Sequence, residues 1–293
     1  MALFCALRQK TIRDSLLMHE QLIEELNQKL TEGDIELPLL PEIAQKVILM
    51  ASNENINATQ LSDIIHRDQA LAGNILRITN SASYAGNVKI VSLQQAIARL
   101  GINLLREIAL AASVQDSVFN VPGQEKIVQH LWQHSLATSA FAKEIARHRR
   151  RNVESAYLCG LLHNIGKPIA LRTLQDTLKN SVEKLSFEEI LEILKHTHRS
   201  IGLRMATEWD LPEQVAESIK YCEDFENCEN FEDDVFTVAL AHMCSDELLL
   251  PENITVEEIC NHEVIDALNL YPEDIEEIID KKEKVKELIQ SMS

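Results

Sequence analysis

Helix breakers are scarce in this chain: 8 glycines and 7 prolines are spread over 293 residues, less than half the usual share of about 12%. Aromatic residues reach only 4%. Strands favour aromatic and β-branched side chains, so this composition serves helices far better than sheets. An all-α fold is expected, a multi-helix bundle in two packed helical parts. Apolar residues at 45% suffice for a real core, since a chain of this length buries roughly 75% of its unfolded surface.

Apolar spacing predicts where the helices lie. Ile12, Leu16, Ile23, Leu26 and Leu30 mark one amphipathic helix over 11–30, and Gly33 ends it. Leu37-Pro38-Leu39-Leu40-Pro41 enters the next segment extended. Residues 41–115 read as several short helices, with Ser92 as a cap and a nearly continuous apolar helix over 102–114. Pro122-Gly123 makes 116–124 the strongest internal boundary. Helices follow over 125–149, 152–163, 186–208 and 235–249, with another opened by Leu211-Pro212. The tail from 254 reads as about two short helices. The expected organisation is an N-terminal helix (1–36), a main unit over 37–250 with parts 37–120 and 121–250, and a C-terminal helical extension (251–293).

The net charge of −18 repels a phosphate backbone and argues against nucleic-acid binding. No apolar run approaches the ~18 residues of a membrane span, and no secretory leader is recognisable, so a cytoplasmic protein with no membrane partner is expected. The six cysteines make no Cys-x-x-Cys pair and read as reduced thiols. Between Tyr221 and Asp280 stand 19 acidic residues and no Lys or Arg. That run reads as a solvated face or, more sharply, as a docking surface for a basic partner. Arg147, Arg149, Arg150 and Arg151 around His148 form the one basic cluster. It reads as a helix C-terminus favoured by the dipole, or as an anion site.

Ten histidines are present, and a lone histidine on an apolar face usually belongs to the core. Four of them form a pattern. His163 ends an apolar helix in Leu161-Leu162-His163-Asn164-Ile165-Gly166-Lys167, where Gly166 reads as a helix stop. His134 lies on the apolar face of the preceding helix, His198 on the following one, and His242 after Val238-Ala239-Leu240-Ala241. Four histidines from four helices could converge, as a metal site requires.

At this point the chain resembles the HDOD family, the HD-related output domain of bacterial signalling proteins, over roughly residues 35–270. The resemblance is carried by Leu37-Pro38 with Leu40-Pro41, by Ile64-Ile65-His66-Arg67-Asp68, by Ile75-Leu76-Arg77-Ile78-Thr79-Asn80-Ser81-Ala82, and by Ser92-Leu93-Gln94-Gln95-Ala96-Ile97-Ala98-Arg99-Leu100-Gly101. Gln69 stands where the family usually has proline. Asn80 and Ser81 belong to this signature, although a capping role suits them equally.

The second half resembles the wider HD superfamily of metal-dependent phosphohydrolases. The resemblance places His134 on the first histidine of that metal set and His163 on the histidine of the His-Asp doublet. Asn164 falls on the doublet's aspartate, His198 on an extra histidine of two-metal relatives, and His242 on the final aspartate. Lys167 matches a lysine that assists with phosphate. Losing both carboxylates leaves a poor bridging set for divalent cations. The resemblance therefore implies a non-catalytic module with no catalytic residues.

The expected function is signal transduction by protein–protein contact with a separate signalling protein, or by small-ligand binding in a vestigial HD cleft. The residues leave open a single transition metal (iron, zinc or nickel) on His134, His163, His198 and His242. One alternative is a phosphohydrolase or phosphodiesterase with an altered ligand set. Another is a nucleotide second-messenger sensor using Lys167. The N-terminal helix is expected to pack on the core or to make homodimer contacts.

Overall fold

A computed structural model describes residues 19–29, 32, 35–51, 58–81, 83–84, 88–179 and 185–292. Among them there are helices and no strand, as the shortage of breakers requires. The first helix, α1, covers 19–29, and the remainder of the predicted 11–30 helix lies outside the described residues. Next come α2 (Glu42–Ala51), α3 (Ala58–His66), α4 (Gln69–Thr79), α5 (Leu93–Leu100) and α6 (Ile102–Val118). After the predicted break follow α7 (Glu125–His148), α8 (Val153–Leu162), α9 (Gly166–Leu178), α10 (Phe187–Glu208), α11 (Glu213–Tyr221) and α12 (Glu232–Leu249). The tail is richer than expected, with α13 (Val256–Cys260), α14 (Glu263–Ala267), α15 (Pro272–Ile279) and α16 (Lys282–Met292). No helix of the described residues is long and apolar enough to cross a membrane.

The caps explain the short helices of the first half. Asp68 accepts from the Leu71 amide at 2.9 Å and starts α4, and Ser92 accepts from the Gln95 amide and starts α5. Asn80 ends α4. Its amide donates to the Leu76 and Ile90 carbonyls at 2.7 and 2.8 Å, and its oxygen accepts from the Ile90 amide at 2.8 Å. It is a clamp between a helix end and an extended strap, so the capping role expected for it holds. The Ser81 hydroxyl next to it is buried with no partner among the described residues.

Two hub helices organise the packing. Helices α2, α4 and α5 lie against α6, while α7 gathers α8, α12 and α16. One continuous buried cluster runs through both groups. Hydrogen bonds tie them as well: the Tyr157 hydroxyl donates to the Glu107 carbonyl at 2.9 Å, and Trp209 Nε1 donates to the Pro38 carbonyl at 2.9 Å. Helix α1 packs on the second group, where Lys29 Nζ donates to Thr177 Oγ1 at 2.6 Å.

Two sequence readings change. Gly166 opens α9 instead of ending a helix. A Cβ there would lie 2.0 Å from the His198 carbonyl oxygen and 2.7 Å from the Gly202 amide nitrogen, so only glycine lets α9 and α10 approach this closely. The arginine cluster sits at the C-terminus of α7, as one reading of it holds, and the acidic run is not wholly solvated, because it meets this cluster. Arg149 pairs with Asp233 at 2.8 Å, Arg151 with the same carboxylate at 3.4 Å, and His148 Nε2 meets Asp274 at 3.0 Å.

Candidate metal centre

Three helices deliver the centre. Helix α7 runs 24 residues without glycine or proline. Its stripe Ile127, Leu131, His134, Thr138, Phe141 and Ile145 alternates steps of four and three, which sets His134 on the buried face. Gly160 brings α8 onto α7, since a Cβ there would meet the Ser139 Cα at 2.8 Å. His163 follows at the C-terminal cap of α8 and is buried. Helix α12 supplies His242 and, one turn later, Asp246.

His134, His163 and His242 each bring a ring nitrogen into a set whose members all lie within 4.8 Å of one another. The hydrogen bonds around them fix the tautomers. His163 Nδ1 lies 2.7 Å from the Gly160 carbonyl. A carbonyl only accepts, so Nδ1 carries the hydrogen and Nε2 keeps its lone pair. His134 Nε2 lies 3.1 Å from one oxygen of Asp246, and His242 Nε2 lies 3.4 Å from the other, an ion-pair distance. A carboxylate also only accepts, so His134 Nε2 carries a hydrogen. His242 Nδ1 meets His163 Nε2 at 3.5 Å. With a lone pair on His163 Nε2, that contact needs either a hydrogen on His242 Nδ1 or a cation between the two nitrogens.

Burial and neighbouring charges favour neutral rings at His163 and His242 and a charged carboxylate at Asp246. Burial pushes His163 well below the usual histidine range, helped by His134, His242 and Lys167. Burial likewise brings His242 down to about 4, against the opposing pull of Asp246. His130 falls to about 4, mainly by burial and then by His134. Burial alone would raise Asp246, but His242 and His134 hold it well below the usual carboxylate range. Neutral imidazoles beside a carboxylate are the form in which these groups bind metal.

Asn164 is fully buried. Ser135 Oγ lies 2.6 Å from its oxygen and 3.2 Å from the Leu131 carbonyl, while Asn164 Nδ2 has no partner. The opposite amide orientation gives Nδ2 a partner: it donates to Ser135 Oγ, Ser135 donates to Leu131, and the amide oxygen is the acceptor left free. The donor set therefore fits a borderline cation such as zinc, iron or nickel.

His198 is not part of the trio. Its ring is buried with neither nitrogen hydrogen-bonded, and Nε2 lies 3.8 Å from Glu223. Burial and Lys167 push it well below the usual histidine range. Glu223 forms the centre of this second group, 3.8 Å from Lys167 Nζ and 3.2 Å from Arg199 Nη2. Burial raises its pKa, but Lys167, His242, His198 and Arg199 outweigh that and bring it down to about 2.

Sequence reasoning missed Asp246 and Glu223, and with them the charge balance. Two carboxylates, Asp246 and Glu223, line the cleft beside the histidines. Asp246 had a legible signal, the i, i+4 spacing from His242 on one helix face. Glu223 had none, because only the packing of α11 on α8 and α12 places it.

His134 and His242 line a cleft of about 450 Å³ that also exposes Lys167, Lys195, Glu188, Glu192, Glu223 and Glu252, with His163 buried behind them. With Asp246, carboxylates outnumber lysines there. Phosphate groups meet a repulsive field in this cleft unless a metal is present.

Several known proteins share this architecture. A crystal structure of an HDOD domain protein of unknown function from Geobacter sulfurreducens aligns with a TM-score of 0.71 and 22% identity, covering 93% of this chain and 97% of that one. A proposed metal-dependent phosphohydrolase from Shewanella amazonensis SB2B aligns with a TM-score of 0.70 and 20% identity, covering 94% and 99%. At such identities the likeness establishes the fold alone. An uncharacterized protein of Treponema pallidum (strain Nichols) is 24% identical over 217 residues, 71% of this chain but 42% of that protein, so the chain spans less than half the length of this relative. The sequence model of the HDOD domain matches residues 37–225. With the signature strings, His134 and His163 in one continuous match over more than half of its length, this chain belongs to the HDOD domain family.

Proposed function

We propose that this protein is a non-catalytic signal-transduction module that holds one transition metal on His134, His163 and His242 and acts by contact with a separate signalling protein. The convergence of one ring nitrogen each from His134, His163 and His242 within 4.8 Å carries the metal half of this reading. The Gly160 carbonyl and the Asp246 carboxylate orient the rings, as outer acceptors commonly do around metal-binding histidines. A bound cation would supply Lewis acidity and a rigid link between α7, α8 and α12. The regulatory half is supported by family membership and by the neutral Asn164 at the doublet position, which is a weak bridge between two metals. The related fold of a proposed signal transduction protein from Marinobacter aquaeolei VT8, with a TM-score of 0.68, agrees with this reading.

The deciding experiment is elemental analysis of untagged protein, followed by a hydrolysis panel of nucleotides and phosphodiesters. About one zinc, iron or nickel per chain, lost in His163→Ala, with no turnover, is the expected result. Robust turnover abolished by His163→Ala would overturn the non-catalytic reading. Absence of metal from every preparation, including zinc-reconstituted protein, would overturn the metal reading.

The enzyme reading keeps one observation in its favour: His134 and His242 line a cleft that also presents Lys167. The double variant Asn164→Asp/His242→Asp separates the two. Turnover that appears only in the double variant would mean that the native site is not hydrolytic. A nucleotide sensor is less well supported, because Lys167 is already engaged with Glu223.

A further inference from the structure

A second cavity, remote from the histidines, lies where three parts of the chain meet. Its volume is about 160 Å³. Helix α6 contributes Leu104 and Ile108, α7 contributes Leu136 and Ala140, and α16 contributes Val285 and Leu288. Protein interiors leave few voids larger than a water molecule, and an apolar void of roughly 150 Å³ accepts a molecule the size of benzene.

The polar groups at this cavity are few and mostly committed. Lys143 is paired with Glu107, and Lys281 with Glu144 at 2.6 Å. The Tyr157 hydroxyl is bonded to the Glu107 carbonyl. Among the described residues Lys284 lines the cavity without an ion pair, and its exposure marks the mouth. The lining charges therefore sum to one uncompensated cation above an apolar floor. Small-ligand sites combine these two elements, an apolar body and a few polar groups that set orientation.

We infer that this cavity is a binding site for a small single-ring or branched aliphatic molecule carrying one anionic head, with the ring among Leu104, Ile108, Leu136 and Leu288 and the head at Lys284. The roof of the site is held at both ends. Trp132 Nε1 donates to the Met292 carbonyl at 3.0 Å, and Ser83 Oγ donates to the Glu287 carbonyl at 2.7 Å. A ligand here touches α6, α7 and α16 at once and ties the C-terminal helix to both hub helices. This inference does not depend on a metal at the trio.

Benzoate is the probe, and benzylamine, with the same ring and the opposite charge, is the control. Methyl NMR titration of the full chain should give saturable benzoate shifts at Leu104, Leu136, Val285 and Leu288, with benzylamine far weaker. Ala140→Leu should fill the cavity and abolish the shifts while the metal content at the trio stays unchanged. Lys284→Glu, at an exposed position, should weaken benzoate about tenfold or more, the order of one lost charge-assisted contact. It keeps the test decisive even if Ala140→Leu fails to fold. Absence of saturable shifts, equal binding of benzylamine, or benzoate binding retained in both variants would overturn the inference.

Discussion

His242 Nδ1 faces His163 Nε2 across 3.5 Å. The hydrogen of His163 is engaged at the Gly160 carbonyl, so its Nε2 is a lone pair, and Asp246 lies 3.4 Å from the far nitrogen of His242. Two outer acceptors, one on α8 and one on α12, thus set how the two rings meet.

Removing the orienting carboxylate tests this directly. Asp246→Ala should reduce zinc affinity by 10- to 100-fold, the usual cost of losing an outer partner of a metal-binding histidine. Competition with a chromophoric chelator measures it. Unchanged affinity would mean that Asp246 orients nothing.

Metal removal should destabilise the fold. A metal present at a hundredfold excess over its dissociation constant stabilises by about 2.7 kcal/mol, so chelation should lower Tm by roughly 5–10 °C. Scanning calorimetry with and without chelator reads the shift, and His163→Ala should show none.

Glu223 gives a pH signature. Its folded pKa, about 2, lies below the ordinary 4.5. A depressed carboxylate contributes stability above its unfolded pKa and loses it as pH falls through the folded value. Stability should therefore decline between pH 4.5 and about 2, and Glu223→Gln should remove that part of the slope. The same variant should lose about 3 kcal/mol at neutral pH, because Lys167 and Arg199 lose their shared counterion. Urea unfolding at a series of pH values checks both effects.

Gly166→Ala should be poorly tolerated. Its Cβ would strike backbone at 2.0 Å, which no side-chain motion relieves. A loss of about 3 kcal/mol or more is expected, at the upper end for overpacking. Urea midpoints report it, and an unchanged midpoint would show that α9 and α10 can separate at no cost.

Asn80→Ala should cost about 1–3 kcal/mol, since it strands the buried Ile90 amide. Metal content should be unaffected. A change in metal content without a change in stability would contradict the clamp role of Asn80.

The helices were legible because their signals are local: apolar spacing, caps at Asp68 and Ser92, and the break at Pro122-Gly123 lie within a few residues of the elements they control. The trio was legible in part, because His134, His163 and His242 each sit on or beside an apolar stripe. His198 carries the same local signal and stands outside the trio, facing Glu223 instead. No spacing along one helix separates these cases.

Gly166 shows the same limit. In sequence it reads as a stop, whereas in the fold it is a contact surface for the backbone of α10. The arginines at 147–151 read in sequence as a helix C-terminus or an anion site, and only the fold shows Asp233 against Arg149 and Arg151 and Asp274 against His148. The sequence by itself determined the all-helical class, the family and the identity of three donors, since each depends on residues within a turn or two of one another. Only the tertiary structure decided which ring nitrogens converge, that Asp246 and Glu223 bring negative charge to the cleft, and that His198 is left out. Those outcomes depend on how α7, α8, α11 and α12 cross, and the crossing is set by close contacts such as Gly160 against Ser139, between residues far apart in the chain.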